Sequence, residues 1–164
     1  MKKWTRVIIT SILLVAVLFS TTKVAEAAPK GYSFKYSGVT VYVHEEAAKL
    51  IKKAGEPKKK KVENSCAYKG QDITYEYKDF TLVTYTEKKG GTEYVQSIKF
   101  KTKNVKTDKG IKIGSKKSAM LKKYGKNGTY NKLSGTYTYK KAKMAIQFTI
   151  KDNKVTAIEY ISYI

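Results

Sequence analysis

The feature that most constrains the fold is an internal resemblance between two stretches of the chain. Residues 50–55 read LIKKAG, and residues 120–125 read MLKKYG. Each stretch ends a predicted helix at a glycine, where a helix C-cap is expected, after lysines that favour the helix dipole. A short strand-like run precedes each helix, at residues 38–41 and 110–113. The pattern therefore predicts one structural unit that is used twice.

Three strand-like segments follow each predicted helix. They cover residues 73–77, 80–86 and 94–101 in the first unit and residues 135–140, 144–150 and 154–161 in the second. Within residues 144–150, apolar and polar residues alternate as they do in a half-buried strand.

These segments predict the fold class. We expect an α+β fold of two tandem α-β-β-β units, with helices packed on a curved antiparallel sheet, after an N-terminal signal helix. Residues 28–104 would form the first unit and residues 105–164 the second, within one compact domain.

The predicted helices have recognisable faces and starts. Glu45 and Glu46 open the first helix, where acidic residues favour the dipole, and Ser115 is the expected N-cap of the second. One apolar face of the first helix consists of Ala47, Leu50, Ile51 and Ala54, and the second presents Met120, Leu121 and Tyr124. We expect Ile51 and Leu121 to occupy equivalent places against the sheet.

The order of these elements resembles a known family. A short strand with glycine, a helix ending in glycine and a meander ending in K-V-x-x-I is similar to the SmpA/OmlA (BamE) module. Here the motifs read GIKIG at 110–114, YG at 124–125 and NKVTAI at 153–158. Two such modules in tandem resemble the β-lactamase inhibitory protein (BLIP) fold. The resemblance implies a binding module rather than an enzyme.

The chain departs from this family in two respects. Lys116 and Lys117 open the second predicted helix, where acids would suit the dipole. The disulfides of BLIP cannot form either, because Cys66 is the single cysteine. The arrangement of Ser65-Cys66, Asp79-Phe80 and residues 110–114 also resembles uncharacterised secreted proteins and lipoproteins of Firmicutes.

The first residues are typical of an export signal. Lys2, Lys3 and Arg6 form a basic n-region, residues 7–19 are apolar, and Ala25-Glu26-Ala27 is a small-x-small cleavage site. The apolar run of 13 residues is shorter than the roughly 20 that span a bilayer. We expect a signal peptide over residues 1–27 and a secreted form that begins at Ala28, with an uncleaved membrane anchor as the alternative.

The predicted secreted chain is strongly cationic. The signal peptide holds four of the 34 basic residues and one of the 13 acidic ones, which leaves 30 against 12 and a net charge of +18. Arg6 is the single arginine, so the basic side chains of the secreted chain are all lysine. Lysine acts as a mobile point charge, whereas arginine recognises phosphate and guanine in a bidentate way. The charge therefore favours loose attraction to wall polymer or anionic lipid over nucleic-acid reading, although a solubilising surface explains it equally well.

The sequence carries no recognisable catalytic pattern. His44 and Cys66 are the single histidine and cysteine, and together they form neither a metal site nor a nucleophile–base motif. Cys66 is interpreted as a buried or half-buried structural residue that folding can dispense with. The acids Asp72, Glu76, Asp79 and Glu87 are scattered among lysines and select no catalytic pair. We expect no enzyme activity, no metal and no cofactor.

Two sets of residues are candidate binding sites. The run Lys58, Lys59, Lys60 and Lys61 follows Pro57 and would bind polyanion, or it is simply a solvated loop. Tyr75, Tyr77, Tyr137 and Tyr139 lie on predicted strands, where exposed tyrosines bind glycans or bases by stacking. Tyrosine is also an ordinary strand residue, which is the structural alternative.

Three functional hypotheses follow. The first is a secreted or cell-surface, non-enzymatic protein of a Gram-positive-type bacterium that binds another envelope or secreted protein, or an envelope polymer, through its sheet. The second is a purely electrostatic binder of anionic wall polymer or membrane surface. The third, an inhibitor of a secreted enzyme, rests on the BLIP resemblance alone. We expect a monomer that is secreted and retained at the cell wall by its charge.

Overall fold

A computed structural model describes residues 31–67 and 69–163. The predicted signal peptide and its cleavage site lie outside these residues. Within them the chain forms two short helices and ten strands. The helices are α1 (Ala48–Ala54) and α2 (Lys117–Tyr124). The strands are β1 (Phe34–Tyr36), β2 (Val39–Val41), β3 (Lys59–Asn64), β4 (Gln71–Glu76), β5 (Phe80–Tyr85), β6 (Tyr94–Phe100), β7 (Thr129–Asn131), β8 (Thr136–Lys141), β9 (Met144–Lys151) and β10 (Lys154–Ser162).

Eight strands form one antiparallel sheet in the order β3-β4-β5-β6-β10-β9-β8-β7. We call α1 with β3–β6 the first half and α2 with β7–β10 the second half. The halves meet at the centre of the sheet, where Ile98 lies opposite Tyr160. The strands β1 and β2 form a separate hairpin.

The predicted fold class is wrong. The structure is mostly β, with 47% strand against 11% helix, and it has an eight-stranded antiparallel sheet instead of α-β-β-β units. Four strands follow each helix where three were predicted. The additional strands are β3 and β7, which form the two outer edges of the sheet. The predicted division of the chain at residues 104 and 105 stays a prediction.

One face of the sheet packs into the core together with both helices. Leu50 of α1 and Met120 of α2 are 0% exposed and belong to the same buried cluster as Phe34 of the β1–β2 hairpin. On the sheet this cluster includes Leu82, Ile98, Phe148 and Ile158, which alternate with more exposed residues as the pleat requires. The position next to each buried helix residue, Ile51 or Leu121, is partly buried in both helices.

The helix ends confirm one local prediction. Gly55 follows α1 with φ 75° and Gly125 follows α2 with φ 89°, a backbone region that glycine enters without the steric cost of a Cβ. The Gly55 N–H donates to the Ile51 carbonyl at 3.2 Å, and the Gly125 N–H donates to the Leu121 carbonyl at 2.8 Å. Both glycines therefore act as C-caps.

The predicted helix starts are wrong. Helix α1 begins at Ala48, so Glu45 and Glu46 precede its first turn. The residue at the N-cap of α2 is Lys116, and Ser115 lies one position earlier. The Ser115 hydroxyl accepts a hydrogen bond from the Lys112 N–H at 3.1 Å, so it closes a turn before the helix instead of capping it.

The strand prediction for residues 110–113 is also wrong. The Thr107 N–H donates to the Ile111 carbonyl at 2.8 Å, and the Ile111 N–H donates to the Thr107 hydroxyl at 3.1 Å. These local bonds form a turn that places Ile111 in the core, where it is 4% exposed.

Candidate functional site

The two helices present many lysines and no acidic residue. We call the following seven the helix lysines: Lys49, Lys52, Lys53, Lys116, Lys117, Lys122 and Lys123. All are exposed except Lys117, which is half-buried. Within residues 31–67 and 69–163, the ion pairs join Lys61 to Glu63 at 2.8 Å and Lys101 to Glu76 at 3.7 Å. The helix lysines thus have no acidic partner among the described residues, and each helix presents unpaired positive charge.

The face of the sheet opposite the helices carries both lysines and acids. We call it the open face, and it consists of the strand side chains that alternate with the core residues. Its lysines are Lys59, Lys61, Lys99, Lys140, Lys151 and Lys154, and its acids are Glu63, Asp72, Glu76 and Glu159. The two helices differ from this face in carrying lysines and no acid.

The lysine run at 58–61 is a strand edge and not a solvated loop. The Lys58 N–H donates to the Glu76 carbonyl at 2.7 Å, and Lys59 to Lys61 pair with β4 as part of β3. Their side chains alternate between the two faces of the sheet. Lys61 pairs with Glu63 on the open face, whereas the Lys60 ammonium lies 4.9 Å from the centroid of the Tyr75 ring. The four lysines are exposed, but the strand divides them between two surfaces.

Three of the four tyrosines predicted to bind ligand at the sheet surface are buried. Tyr75, Tyr77 and Tyr139 are 4%, 3% and 5% exposed, because they project toward the core. Burial raises the pKa of Tyr139 to about 12. Tyr137 is half-buried and stacks against Tyr130, with ring centroids 4.5 Å apart. The prediction of a binding face built from Tyr75, Tyr77 and Tyr139 is therefore wrong, and the role of Tyr137 stays a prediction.

A half-buried carboxylate of the first half accepts hydrogen bonds from two buried residues. Glu93 accepts hydrogen bonds from the Tyr75 hydroxyl at 2.8 and 2.9 Å and from the Thr84 hydroxyl at 2.7 Å. Burial, followed by the hydrogen bond to Glu93, raises the pKa of Tyr75 well above its ordinary value. The neutral phenol therefore donates to the carboxylate throughout the physiological pH range.

The backbone around the start of each helix has the same hydrogen-bond arrangement. In the first half, the bonds run from Ala47 N–H to Glu93 C=O (2.9 Å), from His44 N–H to Val95 C=O (2.8 Å) and from Val95 N–H to Glu45 C=O (2.9 Å). In the second half, they run from Lys117 N–H to Asn153 C=O (2.8 Å), from Gly114 N–H to Val155 C=O (2.7 Å) and from Val155 N–H to Ser115 C=O (2.8 Å). This correspondence places Lys117 where the first half has Ala47, and Asn153 where it has Glu93.

A cleft of about 440 Å³ opens at the start of α2. It is lined by Lys116, Lys117, Ser118, Leu121, Asp152, Asn153 and Lys154. The Lys117 ammonium lies 5.2 Å from the ring centroid of Tyr137 and 5.6 Å from that of Tyr130. A hydrogen bond with Tyr137 raises the pKa of Lys117, so this ammonium is charged at neutral pH. The second half thus gathers three lysines and one acid around a cleft.

The sequence contained a signal for this cleft. Aligning residues 50–55 with 120–125 places Lys116 opposite Glu46 and Lys117 opposite Ala47, which is a reversal of charge between the halves. Sequence analysis assigned no role to Lys116, Lys117 and Lys154 in a common site, because Lys154 lies on β10 and reaches α2 only through the fold.

Cys66 is exposed, so its interpretation as a buried or half-buried residue is wrong. His44 lies elsewhere: its Nδ1 is 3.3 Å from the Tyr85 hydroxyl, and its Nε2 is 3.3 Å from the Lys143 carbonyl oxygen. In the described part of the chain, no cluster of three or more His, Cys, Asp or Glu residues is arranged to hold a metal ion. Neither α1 nor α2 has the length and apolar character needed to cross a membrane.

Comparison with known proteins assigns no family. No family model matches the chain, and no curated protein matches it. The chain is similar to a solved extracellular protein containing a SCP domain from Bacillus anthracis str. Ames, with 17% sequence identity and a TM-score of 0.43. The match covers 78% of this chain and 47% of that chain, so this chain spans about half the length of that protein. A similarity of this size assigns neither fold nor function.

Proposed function

We propose that the chain is an exported, non-enzymatic protein that binds a phosphate-bearing anionic polymer of the bacterial cell wall through its helix lysines. The carrying observation is the set of six lysines on two helices, with Lys116 directly before the second. The helices contain no acidic residue, and these lysines have no ion-pair partner among the described residues. The open face on the other side of the sheet mixes lysines with acids, which supports a directed binding surface over a uniform positive charge.

The chemistry of lysine supports a polymer as the partner. An ammonium group attracts phosphate as a point charge and does not require a fixed bidentate geometry. Several such groups on short helices suit a repeating polyanion whose phosphates exchange between them. Export is supported by the signal-like residues 1–27 of the sequence.

Matched charge variants test this proposal. In the first variant, the helix lysines Lys52, Lys53, Lys122 and Lys123 are replaced by Gln. In the control, the open-face lysines Lys59, Lys99, Lys140 and Lys151 are replaced by Gln, so the two variants have the same net charge. Binding to purified wall teichoic acid is then measured by calorimetry at several salt concentrations.

The helix variant should bind at least about tenfold more weakly, since each lysine near an anionic surface contributes about 1 kcal/mol. The dependence of log affinity on log salt should also become shallower, by about 0.7–0.9 for each phosphate that is no longer neutralised by a lysine. The control variant should stay close to wild type. Equal reductions in affinity in both variants would show that net charge alone governs binding and would overturn the proposal.

The two other hypotheses give different results in the same assay. A protein that recognises a partner by shape should remain bound to whole cell walls as salt rises, and it should ignore purified polymer. A membrane binder should bind vesicles containing phosphatidylglycerol and leave the polymer unbound. Either result would overturn wall-polymer binding.

A further inference from the structure

The two helix starts use one backbone arrangement to hold opposite charges. The first helix start consists of Glu46, Ala47, Ala48, Glu93 and Tyr94. The second helix start consists of Lys116, Lys117, Ser118, Asn153 and Lys154. Each contains an antiparallel bridge, Glu46 with Tyr94 and Lys116 with Lys154. At the two positions where the first helix start carries Glu46 and Glu93, the second carries Lys116 and Asn153.

A half-buried anion held by hydrogen bonds occupies the first helix start. The Glu93 carboxylate accepts hydrogen bonds from Tyr75 and Thr84. The Ala47 N–H donates to the main-chain carbonyl of Glu93 at 2.9 Å. In the sheet register, Tyr75 lies opposite Leu82 and Leu82 opposite Ile98, just as Tyr137 lies opposite Phe148 and Phe148 opposite Ile158. Tyr137 of the second half thus corresponds to the tyrosine that donates to Glu93.

The second helix start has no such hydrogen-bonded anion among the residues that the structure describes. Asn153 stands in the place of Glu93 and lies exposed in the turn between β9 and β10. Tyr137 interacts with the Lys117 ammonium and not with a carboxylate. The result is a cleft of about 440 Å³ whose lining includes three lysines and Ser118, against the single acid Asp152.

We propose that this cleft binds one phosphate group, which supplies the negative charge that Glu93 supplies in the first half. Lys116, Lys117 and Lys154 contact the phosphate oxygens, and the Ser118 hydroxyl donates a further hydrogen bond. A phosphate group accepts several charge-assisted hydrogen bonds at once, which suits three ammonium groups that would otherwise repel one another. This proposal rests on the proposed function, because it names the place where the polymer's phosphate is held.

The cleft is tested with inorganic phosphate as the probe. Backbone amide signals of the full secreted chain are followed by nuclear magnetic resonance as phosphate is added at constant ionic strength, with acetate as the comparison anion. Signals of Ser118 and Asn153 should shift to saturation with phosphate, whereas those of Ala48 and Glu93 should stay in place. Absence of a saturable shift in the second helix start, or an equal response to acetate, would overturn the proposal.

Two variants locate the site, and one matched variant controls for charge. The double replacement Lys117→Gln with Lys154→Gln should weaken phosphate binding at least about tenfold, because it removes two charge-assisted hydrogen bonds. The double replacement Lys59→Gln with Lys99→Gln changes the charge equally on the open face and should leave the affinity within about twofold, since surface changes away from a site have small effects. Equal weakening in both variants would overturn the cleft.

The other site variant introduces the acidic residue of the first half at the equivalent position. Asn153→Glu places a carboxylate where the first half has Glu93, and it should occupy the lysines and abolish the phosphate response. Preserved phosphate binding in a folded Asn153→Glu protein would contradict the proposal.

The same preparations separate this inference from the proposed function. Polymer binding without a saturable phosphate shift would leave the proposed function intact and remove the cleft. A phosphate shift in the cleft without polymer binding would support the cleft and overturn the proposed function. Short polyol phosphate chains and phosphatidylglycerol vesicles then distinguish a wall polymer from a lipid headgroup as the source of the phosphate.

Discussion

The two helix starts share their backbone hydrogen bonds, yet one contains a hydrogen-bonded carboxylate and the other a lysine-lined cleft. Glu93 is held by Tyr75 and Thr84, whereas its counterpart Asn153 leaves Lys117 with Tyr137 as its neighbour. The backbone frame does not depend on these side chains, because its hydrogen bonds run between main-chain groups. The side chains at a helix start can therefore change from acidic to basic while the sheet and the helix remain.

The outer strands of the two halves extend this contrast. β3 has six residues and β7 has three, and each lies at one edge of the sheet. In the register, Lys60 lies opposite Tyr75 and Tyr130 lies opposite Tyr137. The first half thus covers its tyrosine with a lysine from the neighbouring strand, while the second covers it with another tyrosine and takes the lysine from α2. Both arrangements place a cation over an aromatic face.

The largest expected effect tests whether the two helices contribute equally to the stability of the core. Leu50 and Met120 are both 0% exposed at matching helix positions. Replacing either with Ala removes buried methyl and methylene groups and leaves a cavity, which costs about 2–5 kcal/mol. Chemical denaturation of Leu50→Ala and Met120→Ala gives the two free energies of unfolding. A cost below about 1 kcal/mol for one of them would show that its helix contributes little to the core.

The next effect should appear in the first half alone. Glu93→Ala leaves the Tyr75 hydroxyl without its acceptor in a position that is 4% exposed. An unsatisfied buried donor costs about 1–3 kcal/mol, and Glu93→Gln should recover part of this because its amide oxygen still accepts.

The matching change in the second half is Asn153→Gly, since Asn153 has a φ of 55° that glycine adopts readily. Its effect should remain within about 0.5 kcal/mol. Thermal or chemical unfolding of the three variants measures the contrast. Equal destabilisation by Glu93→Ala and Asn153→Gly would mean that the carboxylate has no structural role.

The sequence predicted six of the eight strands of the large sheet to within about two residues, but it did not predict the class of fold. Alternating apolar residues identified the inner strands, such as β9, because their core faces are uniformly buried. β3 was missed, since KKKVEN has no alternation and lysine is rare in strands. Only pairing with β4 makes it a strand, and local sequence does not encode that pairing.

The candidate site was harder to predict for the same reason. Tyr75 and Tyr77 share a strand face with Ile73, a spacing that already indicates burial, and the structure places all three in the core. The cleft at the second helix start needed the contact between α2 and the turn before β10. Lysines 37 residues apart in sequence, Lys117 and Lys154, become neighbours only through that contact.

A smaller effect separates the partly buried helix positions from the exposed ones. Ile51→Ala and Leu121→Ala should each cost about 1–2 kcal/mol, below the effect at the fully buried neighbours, because less apolar surface is removed from the core. Lys52→Ala and Lys122→Ala should stay within about 0.5 kcal/mol. Denaturation of the four variants gives the comparison. If Ile51 and Leu121 differ by more than about 1.5 kcal/mol, the helices do not sit equivalently on the sheet.

The smallest effect concerns the turns at the far ends of the halves. Asp79, between β4 and β5, accepts hydrogen bonds from the Thr102 hydroxyl at 2.6 Å and the Asn104 amide at 3.0 Å. The hydrogen bond from Thr102 is the main cause that lowers the pKa of Asp79 in the folded protein. A carboxyl group with a lowered folded pKa stabilises the fold above its unfolded pKa of about 3.9 and loses this contribution as the pH falls through the folded value. The corresponding turn between β8 and β9 contains Ala142 and Lys143 and has no carboxylate.

Asp79→Asn should therefore lower the free energy of unfolding at pH 7 by less than about 1 kcal/mol, because the group is only partly shielded from solvent. The difference from wild type should shrink between about pH 5 and pH 2, where Asp79 becomes protonated and resembles the amide. Ala142→Gly is the control in the second half: Ala142 has a φ of 54°, and the change introduces no titratable group. Its effect should not vary with pH. Urea denaturation at a series of pH values measures both, and a constant Asp79→Asn difference down to about pH 2 would show that the Thr102 hydrogen bond does not stabilise the ionised carboxylate.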